Sequence, residues 1–210
     1  MIKVHHLSQS RSTRILWLLE ELGLEYEIIS YERDAVSRLA PPELKEIHPL
    51  GKSPVIEDDG RMVAESGSII EYLIEAYGSN SKLAPAPRTD DYWRYNHFLH
   101  FAEGSAILPL MLYLYTSRLG DAAAPLHPRI FSEIDNHFSY LNKELEGREF
   151  LVGDDLTGAD IQNTYVLENP YSMGLLDQYA NLKRYVEFMH ARPAYHKAIE
   201  RGGSPVFTPA

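Results

Sequence analysis

Cysteine is absent from the 210 residues. That excludes structural disulfides, thiolate zinc sites, iron–sulfur clusters and a cysteine nucleophile carried by the protein. Cations are in short supply as well: 20 Lys and Arg stand against 30 Asp and Glu, a formal net charge of −10. Binding along nucleic acid draws on clustered cations that release counterions, so no nucleic-acid partner is expected. Long apolar runs are missing too. The longest, Ala106 to Tyr115, has ten residues and contains Pro109, well short of the roughly 20 that a membrane span needs. Met1-Ile2-Lys3-Val4-His5-His6 lacks the apolar core of a signal peptide, which points to an intracellular, cytoplasmic protein.

What is present suffices for a core: 44% of the residues are hydrophobic, enough for one large or two small domains. Ile2 to His6 reads as a short strand, and the polar loop Ser8-Gln9-Ser10-Arg11-Ser12 follows it. A helix then starts near Ser12 or Thr13. Ile15, Leu16, Leu18, Leu19 and Leu22 recur at helical spacing, and Gly23 supplies a left-handed stop. Tyr26 to Tyr31 is the next strand. Pro41, Pro42 and Pro49 leave room for one helical turn around Glu43 to Ile47. Asp58-Asp59-Gly60 between Pro54-Val55-Ile56-Glu57 and Arg61-Met62-Val63-Ala64 signals a hairpin. Ser66 to Tyr77 carries Ile69, Ile70, Leu73, Ile74 and Tyr77 on one helical face. The order β-α-β, hairpin, α is that of a thioredoxin-like α/β domain.

Gly78 to Arg88 is rich in Gly, Ser, Asn and Pro and marks a boundary. Residues 1–78 form the first domain, 79–88 the linker and 89–210 an all-α second domain. Within the second, Thr89 to about Arg118 reads as one long helix bent at Pro109. Ile130, Ile134, Phe138, Leu141 and Leu145 line another. Asp154 to Leu167 carries a third, ended by Asn169-Pro170, and Leu182 to His190 and Ala194 to Arg201 give two more.

Several stretches together resemble the cytosolic glutathione transferases, most closely the GTT-type enzymes of fungi and their bacterial relatives. They are Ile2-Lys3-Val4-His5 running into Ser10-Arg11, Arg33-Asp34-Ala35 with Ala40-Pro41-Pro42-Glu43-Leu44-Lys45, Ile47-His48-Pro49-Leu50-Gly51-Lys52-Ser53-Pro54, and Ala64-Glu65-Ser66-Gly67. Glu103-Gly104-Ser105 and Leu156-Thr157-Gly158-Ala159-Asp160-Ile161 extend the likeness through the second domain. The resemblance implies the glutathione transferase fold, a homodimer, glutathione as co-substrate with no bound cofactor, and a small hydrophobic electrophile as the second substrate. Peroxidase activity at the same site is compatible with it. Two other readings remain open: a non-enzymatic regulatory or scaffold module of the same fold, and a glutathione-dependent thiol–disulfide oxidoreductase.

By similarity, Ser66 takes the γ-glutamyl carboxylate at a helix start, where free N–H groups favour an anion, and Glu65 takes the amine. The alternative for Ser66 is a plain helix N-cap. Pro54 resembles the family's cis-proline, turning the Ser53 backbone toward the cysteinyl residue. Lys52 is the candidate for the glycyl carboxylate, with Arg14 and Arg38 behind it. Leu39 stands where plant-type relatives carry a histidine for that contact. No tyrosine precedes Tyr26 and no cysteine exists, so the thiol donor is a serine. Ser8, Ser10 and Ser12 compete: Ser8 lies closer to the strand end, Ser12 reads as the N-cap, Ser10 aligns with the family serine and is assigned the bond, and His6 is the reserve candidate.

The long helix supplies the acceptor side. His97, His100, Glu103 and Gly104 share about a third of its circumference by regular spacing. His97, His100 and Gly104 are assigned to the acceptor pocket, and Glu103 to a contact with glutathione across the dimer. His97-x-x-His100-x-x-Glu103 could be read as a metal site, but nothing else in the chain has ligand spacing, so no metal is assigned. Thr157-x-x-Asp160 is a helix-start box with a folding role. The tail Gly202-Gly203-Ser204-Pro205-Val206-Phe207 bears on pocket shape.

Overall fold

The structure, a computed structural model, describes residues 1–206; Phe207 of the tail lies outside the described residues. The chain packs as two compact units. One comprises Met1–Ala84 together with the segment from Met189 onward, and the other is Pro85–Phe188. The boundary expected at residues 79–88 is thus a cut in sequence, while by packing the last helix returns to the first unit.

The first unit holds β1 (Ile2–Leu7), α1 (Thr13–Leu22), β2 (Tyr26–Tyr31), α2 (Leu44–Ile47), β3 (Val55–Asp58), β4 (Arg61–Ala64) and α3 (Ser66–Tyr77). Its sheet order is β2-β1-β3-β4. β1 runs parallel to β2, with Val4 opposite Ile28, and antiparallel to β3, with Val4 opposite Ile56. The β3–β4 turn needs positive φ at both central residues, and Asp59 (46°) and Gly60 (76°) provide it. Ile15, Leu16, Leu18 and Leu19 of α1 and Ile69, Ile70 and Leu73 of α3 are wholly buried. Gly23 closes α1 at φ 65°, its N–H bonded to Glu20 and that of Leu24 to Leu19.

The last helix, α9 (Pro193–Gly202), packs on α1. Tyr195 meets Trp17 edge to face at 5.2 Å. Arg192 forks onto both oxygens of Glu21 at 2.7 and 3.0 Å, and Arg201 reaches Glu20 at 2.9 Å while covering the Tyr26 ring at 3.7 Å.

The second unit is helical throughout its described elements. α4 (Asp90–Phe101) runs through a π-helical turn (Ala102–Ala106) into α5 (Ile107–Thr116). A 3₁₀ stretch (Ser117–Leu126), interrupted at Gly120, leads to α6 (His127–Glu144), α7 (Gly158–Ser172) and α8 (Ala180–His190). The single bent helix expected over 89–118 is therefore corrected. Its irregularity falls before Pro109, whose ring would crowd the Ser105 carbonyl four residues back, and the wider turn relieves that contact. Pro170 does not end α7 either. It sits in the last turn, where only one bond is lost, and the helix continues to Ser172.

α7 forms the core of this unit, with Ala159, Ile161, Val166 and Leu167 buried. Asn163 Nδ2 donates to the Phe98 carbonyl on α4 at 2.8 Å. Asp160 accepts from Thr157 N (2.9 Å), Thr157 Oγ1 (2.8 Å), Leu151 N (2.8 Å) and Tyr185 Oη (3.0 Å). The expected helix-start box is present, and Asp160 extends it to the preceding loop and to α8. Burial nonetheless pushes the Asp160 carboxyl above its ordinary range.

Candidate active site

The carboxyl end of β1 is bonded to two other segments of the first unit. Ser53 Oγ donates to the His5 carbonyl at 2.7 Å and accepts from Leu7 N at 3.2 Å. The Ser53 side chain is thus anchored inward, just ahead of the first β1–β3 pair at Val55. The Ser53–Pro54 peptide is cis, as the resemblance implied. Lys52 beside it is exposed.

Ser10 and Ser12 follow β1, and both are buried, at 4% and 0% exposure. Ser12 does not cap α1. Its backbone is already helical and its side chain makes no capping bond. Three better partners surround the Ser12 hydroxyl: Ser10 Oγ at 2.8 Å, His6 Nδ1 at 2.8 Å and the Leu7 carbonyl at 3.3 Å. Ser10 Oγ also accepts from Ser12 N at 3.2 Å. His6 therefore stands behind the two serines, and its Nε2 lies 2.7 Å from the Gly202 carbonyl at the end of α9. Burial holds the imidazole below its ordinary value, with the Gly202 carbonyl and the Glu32 carboxylate acting against it.

The loop ahead of Ser10 is clamped by a residue that sequence reasoning passed over as a functional group. Arg33 donates from Nε to Ser8 O, from Nη2 to Gln9 O and from Nη1 to Arg38 O, each at 3.0 Å. Its only sequence signal is its place in the Arg33-Asp34-Ala35 stretch. Asp34 holds the turn beneath it, accepting from Ser37 N at 2.7 Å and Val36 N at 3.2 Å. Arg38 is exposed and its Nη2 is taken up by Gln9 Oε1, so the loop already uses this guanidinium. On the other side Gln9 Nε2 donates to Val206 O at 3.2 Å.

Glu65 and Ser66 begin α3. The N-cap position belongs to Glu65, at φ 69°, and Ser66 is the first helical residue, which removes the plain-cap reading of Ser66. A positive φ on a residue with a Cβ is uncommon and concentrates at functional sites. Ser66 Oγ accepts from Arg14 Nη1 at 3.1 Å, and Arg14 is 2% exposed. Arg14 is therefore not a surface cation beside Lys52. The first turn of α1 carries it beneath the N-terminus of α3, where its charge adds to the helix dipole. Ser53 and Ser12 thus bond the end of β1, Ser10 bonds Ser12 ahead of α1, and Arg14 in the first turn of α1 joins Ser66 at the start of α3.

In the second unit the regular spacing of His97, His100, Glu103 and Gly104 is broken, because Glu103 and Gly104 lie in the π-helical turn. The extra residue in that turn rotates them relative to α4. His97 Nε2 pairs with Tyr140 Oη at 3.0 Å, with Phe98 and Phe101 against its ring. His100 is exposed, and a Cβ on Gly104 would meet open space. Among the described residues no three His, Asp or Glu side chains are grouped to hold a metal ion.

Comparison with known proteins converges on one description. Residues 1–75 match "Glutathione S-transferase, N-terminal domain" and residues 110–200 match "Glutathione S-transferase, C-terminal domain". The chain is 34% identical to Glutathione S-transferase 3 of Schizosaccharomyces pombe, over 96% of this chain and 88% of that protein. It is 32% identical to Glutathione S-transferase 1 of Saccharomyces cerevisiae, over 96% of this chain and 95% of that one. Among solved structures it is similar to a glutathione S-transferase of Actinobacillus pleuropneumoniae, with TM-score 0.87 and 38% identity over 96% of this chain and 93% of the other. A sphingomonad glutathione S-transferase complexed with glutathione superposes with TM-score 0.79 at 26% identity, covering 96% and 98%.

Proposed function

The chain belongs to the glutathione S-transferase family and is a glutathione transferase, and from that premise we propose that Ser10 is the hydrogen-bond partner of the glutathione sulfur. Glutathione is its co-substrate, not a resident cofactor. The observation that carries the assignment is a run of contacts: Ser53 and Ser12 bond the end of β1, Ser10 bonds Ser12, and Arg14, two residues on, bonds Ser66 at the start of α3. Those groups match the parts of the tripeptide in turn. The N–H groups at the start of α3 take the γ-glutamyl carboxylate with Ser66, and Arg14 supports it through Ser66. Glu65 takes the γ-glutamyl amine. The Ser53 backbone pairs with the cysteinyl unit, and Lys52 takes the glycyl carboxylate.

Thiol activation by itself yields little. A free thiol of pKa about 8.5 is roughly 3% ionised at pH 7, and lowering it to about 6.5 raises that to about 75%. The weaker nucleophilicity of the more acidic thiolate removes roughly 6- to 10-fold of the gain. Most of the acceleration must come from holding the electrophile near the sulfur. We assign that task to the second unit, with His97, His100 and Gly104 as acceptor residues and a small hydrophobic electrophile as substrate. The same thiolate can reduce a peroxide, which makes peroxidase turnover a second activity of this site. A cytoplasmic homodimer, with Glu103 reaching glutathione across the dimer, completes the reading.

The deciding experiment is Ser10→Ala. Conjugation of an aromatic halide should fall at least about tenfold while the glutathione Kd by calorimetry stays within about threefold, the signature of an interaction used beyond ground-state binding. Unchanged turnover would remove Ser10 from the mechanism.

A further inference from the structure

The hydrogen bonds behind Ser10 have only one consistent direction. The Gly202 carbonyl, 2.7 Å from His6 Nε2, has no proton to give, so Nε2 carries the ring proton. Burial keeps the imidazole neutral near neutral pH, with Glu32 the carboxylate acting on it, which leaves Nδ1 a bare acceptor. Ser12 Oγ, 2.8 Å away, must then donate to Nδ1; its alternative acceptor, the Leu7 carbonyl, is more distant at 3.3 Å. With that proton committed, Ser12 Oγ meets Ser10 Oγ at 2.8 Å as an acceptor, so the Ser10 hydroxyl points inward. Ser10 Oγ also accepts from Ser12 N at 3.2 Å. One lone pair of the Ser10 oxygen remains, and it suits an S–H donor, not a thiolate.

We propose that His6 is a positioning residue that takes up the thiol proton of bound glutathione through Ser10 and Ser12, with the Gly202 carbonyl holding the ring in the tautomer that can receive it. This rests on the assignment of Ser10 made above. The S–H bond breaks and its proton joins Ser10 Oγ. Ser10 passes its own proton to Ser12 Oγ, and Ser12 passes its own to His6 Nδ1. Both serines end as neutral hydroxyls with reversed direction. The products are a thiolate that accepts from Ser10 and an imidazolium whose two N–H groups face Ser12 and Gly202; the burial that disfavours a charged ring in the resting site is offset by the new thiolate charge together with the Gly202 carbonyl and Glu32. No electrons leave the system. When the thioether product departs, the proton runs back along the same hydroxyls and is lost to water.

A second feature of the fold serves the same end. A Cβ built on Gly202 would lie 2.2 Å from Leu16 Cδ1 and 3.1 and 3.3 Å from His6 Cε1 and Nε2. A side chain there would have to displace Leu16 and press on the imidazole, whereas glycine sets the carbonyl on the ring without moving either. The relay thus joins residues 6, 10 and 12 to a backbone group nearly two hundred residues away.

The test is the ionisation of bound glutathione, followed by the ultraviolet absorbance of its thiolate as pH is varied. Ser12→Ala breaks the relay. His6→Asn keeps an oxygen to accept from Ser12 but cannot take a proton. Each should raise the bound thiol pKa by about one to two units, toward the free value of about 8.5. Turnover at pH 7 should drop about 5- to 20-fold and recover at high pH, with glutathione Kd within about threefold. Ser12→Thr, which keeps the hydroxyl, should restore the wild-type titration; failure to restore it would assign the Ser12→Ala effect to packing and overturn the relay. Should His6→Asn not fold, the Ser12 pair carries the test alone. If Ser10→Ala raises the thiol pKa while Ser12→Ala and His6→Asn leave it unchanged, the relay is wrong and the serine assignment stands. If Ser10→Ala leaves it unchanged too, both are wrong.

Discussion

Arg14 and Ser66, 52 positions apart, meet through a 3.1 Å hydrogen bond that ties the first turn of α1 to the first residue of α3. The pair sets a buried cation under a helix N-terminus, and both features attract the same carboxylate. Ser66→Ala removes an acceptor from a buried guanidinium, a loss of about 1.5–3 kcal/mol for a charge-assisted bond. The variant should melt at lower temperature and bind glutathione more weakly, with calorimetry and thermal scans reading the two effects separately. Wild-type affinity in a destabilised variant would confine the pair to folding.

The two histidines of β1 make stability depend on pH. Burial holds both His5 and His6 below the ordinary 6.5, against opposing pulls from Glu57 on His5 and from Gly202 and Glu32 on His6. The folded chain therefore binds fewer protons than the unfolded one near that pH. Stability from these groups is complete above about 6.5 and is lost as pH falls through it. Urea titrations at about pH 7.5 and 5.5 should show this loss, and His6→Asn should shrink the difference between them.

Asp160 should matter more than its capping partner. Thr157→Ala is expected to lower stability by about 1 kcal/mol. Asp160→Asn turns an amide toward donors that need an acceptor, at a loss of about 1–3 kcal/mol or more. Glutathione binding by the folded fraction should be unaffected in both. Equal melting temperatures for the two variants would show that the bonds to Leu151 and Tyr185 contribute nothing.

Tyr72 and Tyr77 share one acceptor, Asp58 Oδ2, Tyr72 at 2.8 Å and Tyr77 at 2.5 Å. The bond to Asp58, followed by desolvation, pushes the Tyr77 phenol up to about 12. A spectrophotometric titration should find a late tyrosine step that Asp58→Asn moves down toward 10. No movement would mean that the shift has another origin.

Much of the first unit was legible because its signals are local. The spacing of Ile15, Leu16, Leu18 and Leu19 with Gly23 behind them defines α1, and Asp59-Gly60 defines the hairpin. Ser10, Ser53 and Ser66 were reached through short motifs. What escaped depends on partners distant in sequence. Ser12 looks like an N-cap until His6 and Ser10 are seen to claim its hydroxyl. Arg14 looks like a surface cation until α3 covers it. The π-helical turn is a compromise around Pro109 that helical periodicity does not encode, and it takes Glu103 out of regular α-helical register with His97.

The return of α9 to the first unit also sets an order of events during synthesis. Leu16 and Trp17 of α1 are buried at 0% and 2% exposure, with Tyr195 and Gly202 among the residues that cover them. When the first 84 residues leave the ribosome that cover has not yet been translated. The amino-terminal unit begins first and is completed only when α9 emerges, and until then it presents an apolar surface of the kind chaperones bind. A chain cut short before Pro193 loses its carboxyl-terminal helix and with it the lining of the domain at its other end.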